Sequence, residues 1–308
     1  MDLQETLKMI GLMLAPAFFS LLGMGALGSP AVAVLGELSA KTNKKVFFDK
    51  YGQQTGSLGL ILLAFLVVIY GVGIGISLYR YPRLIEQSLN PASPFFTGAV
   101  LLAVFAVAAL IYFLTWKSMR QAKAPHIILG LIAALSAIGA VAVVTPAKLF
   151  FNLSQGSPSQ EALATASAMA LPLSAMYGVL VLAAAASLSL AYLVIRRNKD
   201  DFGRDYYSFA MKLAARWSML PMIGFMACQG WLYARLPENI QLIILGTPLA
   251  YVWAGVVILG AVNVGLWILI ARNESPLRMK GPAFLSVFIF WAMHALNATL
   301  FVNFMTML

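Results

Sequence analysis

Long apolar runs separated by short polar segments dominate this chain, covering roughly residues 9–36, 56–78, 95–116, 126–145, 163–195, 213–234, 246–271 and 282–305. Each run is long enough to cross a hydrocarbon layer of about 30 Å as a helix rising about 1.5 Å per residue. The pattern predicts an all-α integral membrane protein with eight transmembrane helices.

The runs also repeat. Ala15-Pro16 in the first corresponds to Leu171-Pro172 in the fifth, and Tyr79-Arg80-Tyr81-Pro82 after the second to Tyr233 through Pro237 after the sixth. Ser93-Pro94 before the third matches Thr247-Pro248 before the seventh, and Lys123-Ala124-Pro125 matches Lys280-Gly281-Pro282. Phe47-Phe48 and Tyr206-Tyr207 fall in the corresponding connections. The proline landmarks are offset by 156, 155, 154 and 157 residues, so the correspondence is collinear. It predicts two four-helix repeats, residues 1–153 and 154–308, with a seam at 154–160. Four crossings is an even number, so both repeats enter the membrane in the same direction, as parallel repeats do. Pro94, Pro125, Pro248 and Pro282 suit first helical turns, where a missing N–H costs nothing. Pro16, Pro172 and Pro221 lie deeper and are expected to kink their helices.

Composition agrees: 61% of residues are hydrophobic and 10% are charged, against about 25% charged in a soluble domain. The net charge of +10 is distributed by side. Lys41, Lys44, Lys45, Lys50, Lys117, Arg120, Lys123, Arg196, Arg197, Lys199, Arg204, Lys212, Arg216, Arg272, Arg278 and Lys280 flank one face of the bundle. Only Lys8, Arg80, Arg83, Lys148 and Arg235 flank the other. That asymmetry is the positive-inside signature. It places both termini outside the cytoplasm and accounts for the basic charge without nucleic acid. Asp2 and Glu5 precede the first run, so no cleavable leader is expected. The single Cys228 excludes an internal disulfide and a thiolate metal cluster.

Candidate chemistry is sparse. Gly23-Met-Gly-Ala-Leu-Gly28 matches a dinucleotide fingerprint by letter but sits inside an apolar span, where small residues admit close helix approach instead. Gly71, Gly73 and Gly75 read the same way. His294 lies near mid-membrane with Asn297 one turn on, and an ionisable residue there is a functional candidate. A neutral imidazole bonded to a neighbouring helix is the simpler alternative. His126, at the entrance of the fourth helix, lies too far along the helix axis to share an iron with His294. Met222 enters at nearly the depth of His294, and a His–Met pair is a permitted haem axial set. His294 is therefore the one metal-ligand candidate, with haem the lesser of two cofactor expectations. Asn263, Asn297 and His294, or the patches at Gln53 and Arg216, could supply hydrogen bonds to a quinone. The acidic residues fall in loops or at helix ends, which argues against a carboxylate proton relay in mid-membrane.

Val34-Leu-Gly-Glu-Leu38, a short basic loop, and Phe47-Phe-Asp-Lys-Tyr51 leading into a second helix resemble the opening of the larger subunit of cytochrome bd-type quinol oxidases and their shorter relatives. Paired four-helix bundles are also that family's plan. The resemblance implies a bacterial inner-membrane protein of the respiratory chain. Oxidases of the family need haem-ligating histidines near the outer helix ends and a quinol-binding loop, whereas this chain has no histidine in its first two helices. It is therefore similar to a quinone-facing or scaffolding relative. The expectation is a subunit of a respiratory electron-transfer complex, in contact with the lipid bilayer and with membrane or extracytoplasmic redox subunits. Whether such a subunit is itself an enzyme stays open. A small-molecule or lipid transporter built from tandem four-helix repeats is the alternative.

Overall fold

The computed structural model describes residues 2–154, 159–200 and 202–307. Most of the expected seam, and Asp201, lie outside the described residues. The first helix, α1 (Leu3–Asn43), begins at Asp2, whose carboxylate accepts from Glu5 N at 2.7 Å while Glu5 reaches back to Asp2 N at 3.1 Å. It ends where Lys44 turns left-handed at φ 51°. There follow α2 (Val46–Arg80), α3 (Pro82–Ser88), α4 (Pro94–Leu114) and α5 (Lys123–Ser154). The rest comprises α6 (Gln160–Arg196), α7 (Arg204–Arg235), α8 (Glu238–Leu245), α9 (Leu249–Arg272), a short 3-10 turn at Pro276–Arg278, and α10 (Lys280–Met307). Ser93 caps α4 with Pro94 in its first turn, and Ser159 caps α6 by accepting from Ala162 N at 3.1 Å. No strand occurs among the described residues.

Among the described residues, seven helices are long and apolar enough to cross a membrane, and the chain is a multi-pass membrane protein. Each expected run falls mainly on one long helix, though 95–116 outruns α4 and 246–271 starts before α9; the run at 213–234 falls in α7, which is not among the seven. With 32 residues α7 has the length. Its hydropathy is lowered by Trp217, Ser218, Gln229, Trp231 and Tyr233, and it packs between α6 and α9, so little of it needs an apolar coat. The short helices α3 and α8 were not expected. Each starts beside a matched proline, Pro82 or Pro237.

Successive long helices pair: α1 with α2, α4 with α5, α6 with α7, α9 with α10. The inner helices α1 and α6 touch each other, and each also touches α5 and α10. Glycine makes that approach close. A Cβ on Gly28 would run into the backbone carbonyl of Val181 on α6 and lie 2.8 Å from Ala185 Cβ. At the α1–α2 contact, a Cβ on Gly36 would come within 2.9 Å of Phe48 O, and one on Gly52 within 2.8 Å of Ala33 O. The close-approach reading thus holds in α1. It fails for Gly71, Gly73 and Gly75, whose missing side chains would meet nothing within 4 Å. The outer half of α2 stands clear of the bundle, with Val67, Val68, Val72, Ile74 and Ile76 exposed. The helices continue through Pro16, Pro172 and Pro221, and also through Pro30 and Pro146.

Candidate functional site

A half-open apolar cavity of about 600 Å³ lies at the side of the bundle, walled by α1, α2, α4 and α5 and backed by α6 and α10. Leu27, Leu63 and Phe105 line one end, and Pro16, Ile74 and Lys148 the other. The few polar side chains in its wall are Ser20, Tyr70, Thr145, Lys148, Tyr177 and His294.

His294 is 2% exposed, and its Nε2 is 3.0 Å from Ser20 Oγ across the α10–α1 contact. Its Nδ1 is buried without a hydrogen-bond partner among the described residues. A buried polar atom with no partner carries a desolvation cost of about 1–3 kcal/mol. A ligand in the cavity could supply that partner. Asn297, one turn on, diverges from His294. It donates to Tyr177 OH at 3.2 Å and accepts from Gln229 at 2.8 Å, linking α10 to α6 and α7. Tyr177 in turn joins the cavity wall, so Asn297 positions a wall residue without itself lining the space.

The other candidates scatter. Asn263 is fully buried on α9, with its amide nitrogen 2.8 Å from Ser286 O and its oxygen 3.2 Å from Phe290 N. It holds α9 to the α10 backbone. Met222 is fully buried with its sulfur toward Gly260 on α9, and it is not in the wall that His294 joins. The structure therefore does not set Met222 and His294 across one space. Arg216 is exposed and Gln53 only half-buried. No group of three or more His, Cys, Asp or Glu side chains is placed to hold a metal ion among the described residues.

Two polar clusters at the basic end were not anticipated. Next to Gln53, the buried Gln54 donates to Asp200 at 2.8 Å and to Tyr207 OH at 2.8 Å, and it accepts from Tyr206 OH at 2.8 Å. Asp200 also forms an ion pair with Arg196. Burial alone would push the Asp200 carboxyl up, but the hydrogen bonds from Arg196 and Tyr207, with the guanidinium charge, hold it below the usual carboxylate range. A one-position ambiguity in a Gln-Gln pair cannot be settled by composition; helix phase decides it. The second cluster centres on Glu37, whose side chain has no exposure although it lies only two turns from the end of α1. Its oxygens lie 3.0 and 2.9 Å from His126 Nδ1, and it accepts from Tyr112 OH at 2.9 Å and from Lys123 at 3.0 Å. Lys123 donates further to Asp49 at 2.6 Å. Glu37 lies near a helix end, as the acidic residues were expected to, but there it is sealed by α4 and α5. His126 is likewise committed, with Nε2 donating to Tyr112 O at 3.0 Å.

No protein-family model matches the sequence, and no curated protein matches it. Among solved structures, the chain is similar to one described as "The structure of bd oxidase from Geobacillus thermodenitrificans", at 14% identity and a TM-score of 0.63. The match covers 97% of this chain and 86% of that one. The likeness expected from the first two helices is therefore borne out as a shared fold over nearly the whole length.

Proposed function

We propose that this chain is an integral membrane subunit of a respiratory electron-transfer complex, and that its cavity takes a quinone. The observation that carries the reading is the cavity itself: an apolar slot beside a buried imidazole with a free ring nitrogen, within a bd oxidase fold. Ligand sites of this kind have volumes of about 300–1,000 Å³, with a few placed polar groups. His294 and Ser20 would hydrogen-bond the quinone ring, and Leu66, Val67 and Leu102 would line the path of its tail. Gln53, Arg216, Met222 and Asn263 are left to packing and to the bundle ends, and Asn297 to positioning Tyr177.

In this reading the chain crosses the membrane eight times, α7 included, as two parallel repeats. The packing supports that arrangement. The pairs α1–α2 and α6–α7, α4–α5 and α9–α10, and α1–α10 and α5–α6 occupy equivalent places, and α3 and α8 follow equivalent prolines. Charge asymmetry puts both termini on the extracytoplasmic side of a bacterial inner membrane. The surfaces left for partner subunits include the exposed outer half of α2.

The test is gentle purification from quinone-replete membranes, with extraction of bound quinone and a subunit census. Wild type should carry a quinone near one per chain, and His294→Leu should lose most of it while staying folded. A folded, quinone-free wild type without redox partners would overturn the proposal. Solute uptake by the chain alone in liposomes would favour transport instead.

A further inference from the structure

The cavity wall contains one cation and no carboxylate. Lys148 lines it at one end, one turn beyond Thr145 on the same face of α5. No hydrogen bond or ion pair engages the Lys148 ammonium among the described residues. Lys212 and Arg216 also lie within a helix, on α7, but neither joins this wall. Lys148 is exposed, so its stem can lie along the cavity rim with the ammonium at the mouth, where a headgroup would sit. An uncompensated ammonium beside a low-dielectric space attracts a negative charge more strongly than it would in water.

Shape narrows the class. The α1 wall runs from Pro16 to Leu27, about 16 Å at the helical rise. One leaflet of the hydrocarbon core is about 15 Å deep. The space is therefore about one acyl chain long, with a mainly apolar wall and its cation at the end nearest the helix termini.

We propose that the cavity binds a long-chain anionic amphiphile, with its carboxylate or phosphate on Lys148 and Thr145 and its chain running inward past Tyr70 toward Leu63. A fatty acid and an anionic phospholipid share this chemistry. If the quinone reading also holds, the two occupants exclude each other, and the amphiphile regulates quinone access. The amphiphile's own binding does not depend on that reading.

The test uses the full chain, delipidated and placed in phosphatidylcholine nanodiscs, and native mass spectrometry to count added oleate, phosphatidylglycerol or chain-matched phosphatidylcholine. Wild type should prefer an anionic ligand over phosphatidylcholine by about tenfold or more. Lys148→Met should abolish the preference and Lys148→Arg should keep it. Ala140→Phe, which fills the inner cavity, should remove binding although Lys148 remains. Retention of oleate alone identifies a fatty acid, and retention of phosphatidylglycerol alone a phospholipid; either supports the site. Equal binding of charged and neutral chains would overturn it, as would a preference that survives Lys148→Met or Ala140→Phe. Quinone content is read separately, so loss of one reading leaves the other standing.

Discussion

Replacing Glu37 with alanine should be among the most destabilising single changes in this chain that remove no apolar side chain. The carboxylate is the shared acceptor of three donors on two other helices: Tyr112 on α4 and Lys123 and His126 on α5. The proton inventory is constrained by geometry. A carbonyl oxygen can only accept, so the 3.0 Å contact from His126 Nε2 to Tyr112 O places a hydrogen on Nε2. One further proton then lies between Nδ1 and Glu37, giving either an imidazolium–carboxylate or a neutral imidazole–carboxylic acid pair. In both states the pair is neutral overall. Alanine leaves Nδ1 and the Tyr112 hydroxyl unpaired in a site where His126 is 1% exposed.

Breaking a buried ion pair from one side costs about 3–5 kcal/mol. Lys123 tempers that figure, because it is 35% exposed and keeps Asp49. A loss of about 3 kcal/mol is expected, and about 1–2 kcal/mol for Glu37→Gln, which retains one acceptor. Denaturant unfolding in mixed micelles measures it, and the buried Trp116, edge-on to His126 at 5.0 Å, is a local fluorescent reporter. In a cycle with His126→Leu, the pair should show a coupling of about 2 kcal/mol. Additive single effects, or a Glu37→Ala protein within about 0.5 kcal/mol of wild type, would refute the account.

Other expectations follow from separate sites. Asp200 has a folded-state pKa below its unfolded value near 3.9, so its contribution is complete above that pH and lost as pH falls through the lower folded value. Asp200→Asn should therefore lose stability at neutral pH and flatten the acid limb of the unfolding curve; parallel wild-type and variant curves would contradict this. Gly28→Ala should cost about 1–3 kcal/mol by forcing α1 off the Val181 carbonyl, whereas Gly73→Ala, in open space, should be neutral within about 0.5 kcal/mol. Reporter fusions should place both termini on the same side of the membrane and the loop between α6 and α7 on the other; termini on opposite sides would remove α7 as a crossing. Gln229→Ala should cost about 1–3 kcal/mol in unfolding assays by leaving Asn297 Oδ1 unpaired, while quinone content falls less than in His294→Leu. A larger quinone loss in Gln229→Ala would reassign the site.

Seven of the long helices were legible because length and apolarity suffice in lipid, whereas α7 carries a weaker apolar signal. Prolines fixed several helix starts. Side-chain phase was not legible. Gln53 and Gln54 are identical in type, and only the turn of α2 toward α6 and α7 decides which meets Tyr206 and Asp200. Glu37 near the end of α1 reads as an interfacial acid until α4 and α5 close over it. Gly28 and Gly73 are equally small, yet one faces α6 and the other nothing. Met222 and His294 have comparable depths in sequence, but depth does not say which neighbour each faces. Tertiary contact settles each case, and no periodicity within a single helix encodes it.

The distribution of filled and empty space also bears on where chemistry can occur. In the second half, large side chains meet one another across α6, α7, α9 and α10: Met169, Met176, Met222, Phe225, Trp267 and Phe290 are all at most 2% exposed in one continuous cluster. The first half has a smaller cluster around Phe105, Tyr112 and Trp116, at the end bearing Glu37. Beyond it, toward the other end, the wall includes Gly23, Ala103, Ala106 and Ala140, whose small side chains leave space between the larger ones such as Leu66 and Tyr70. If the halves descend from one unit, the second was filled and the first kept hollow. Empty apolar volume forfeits dispersion contacts and destabilises a protein, so a cavity of this size is expected to be occupied in the membrane. A cavity-filling variant such as Ala106→Leu then separates the two cases. If the space is truly empty, the added methyl groups raise stability in lipid-free micelles and in native membranes alike. If a ligand occupies it, the variant gains stability only in micelles, and in membranes it loses the ligand's contribution. Equal stabilisation in both settings would show that the cavity has no resident.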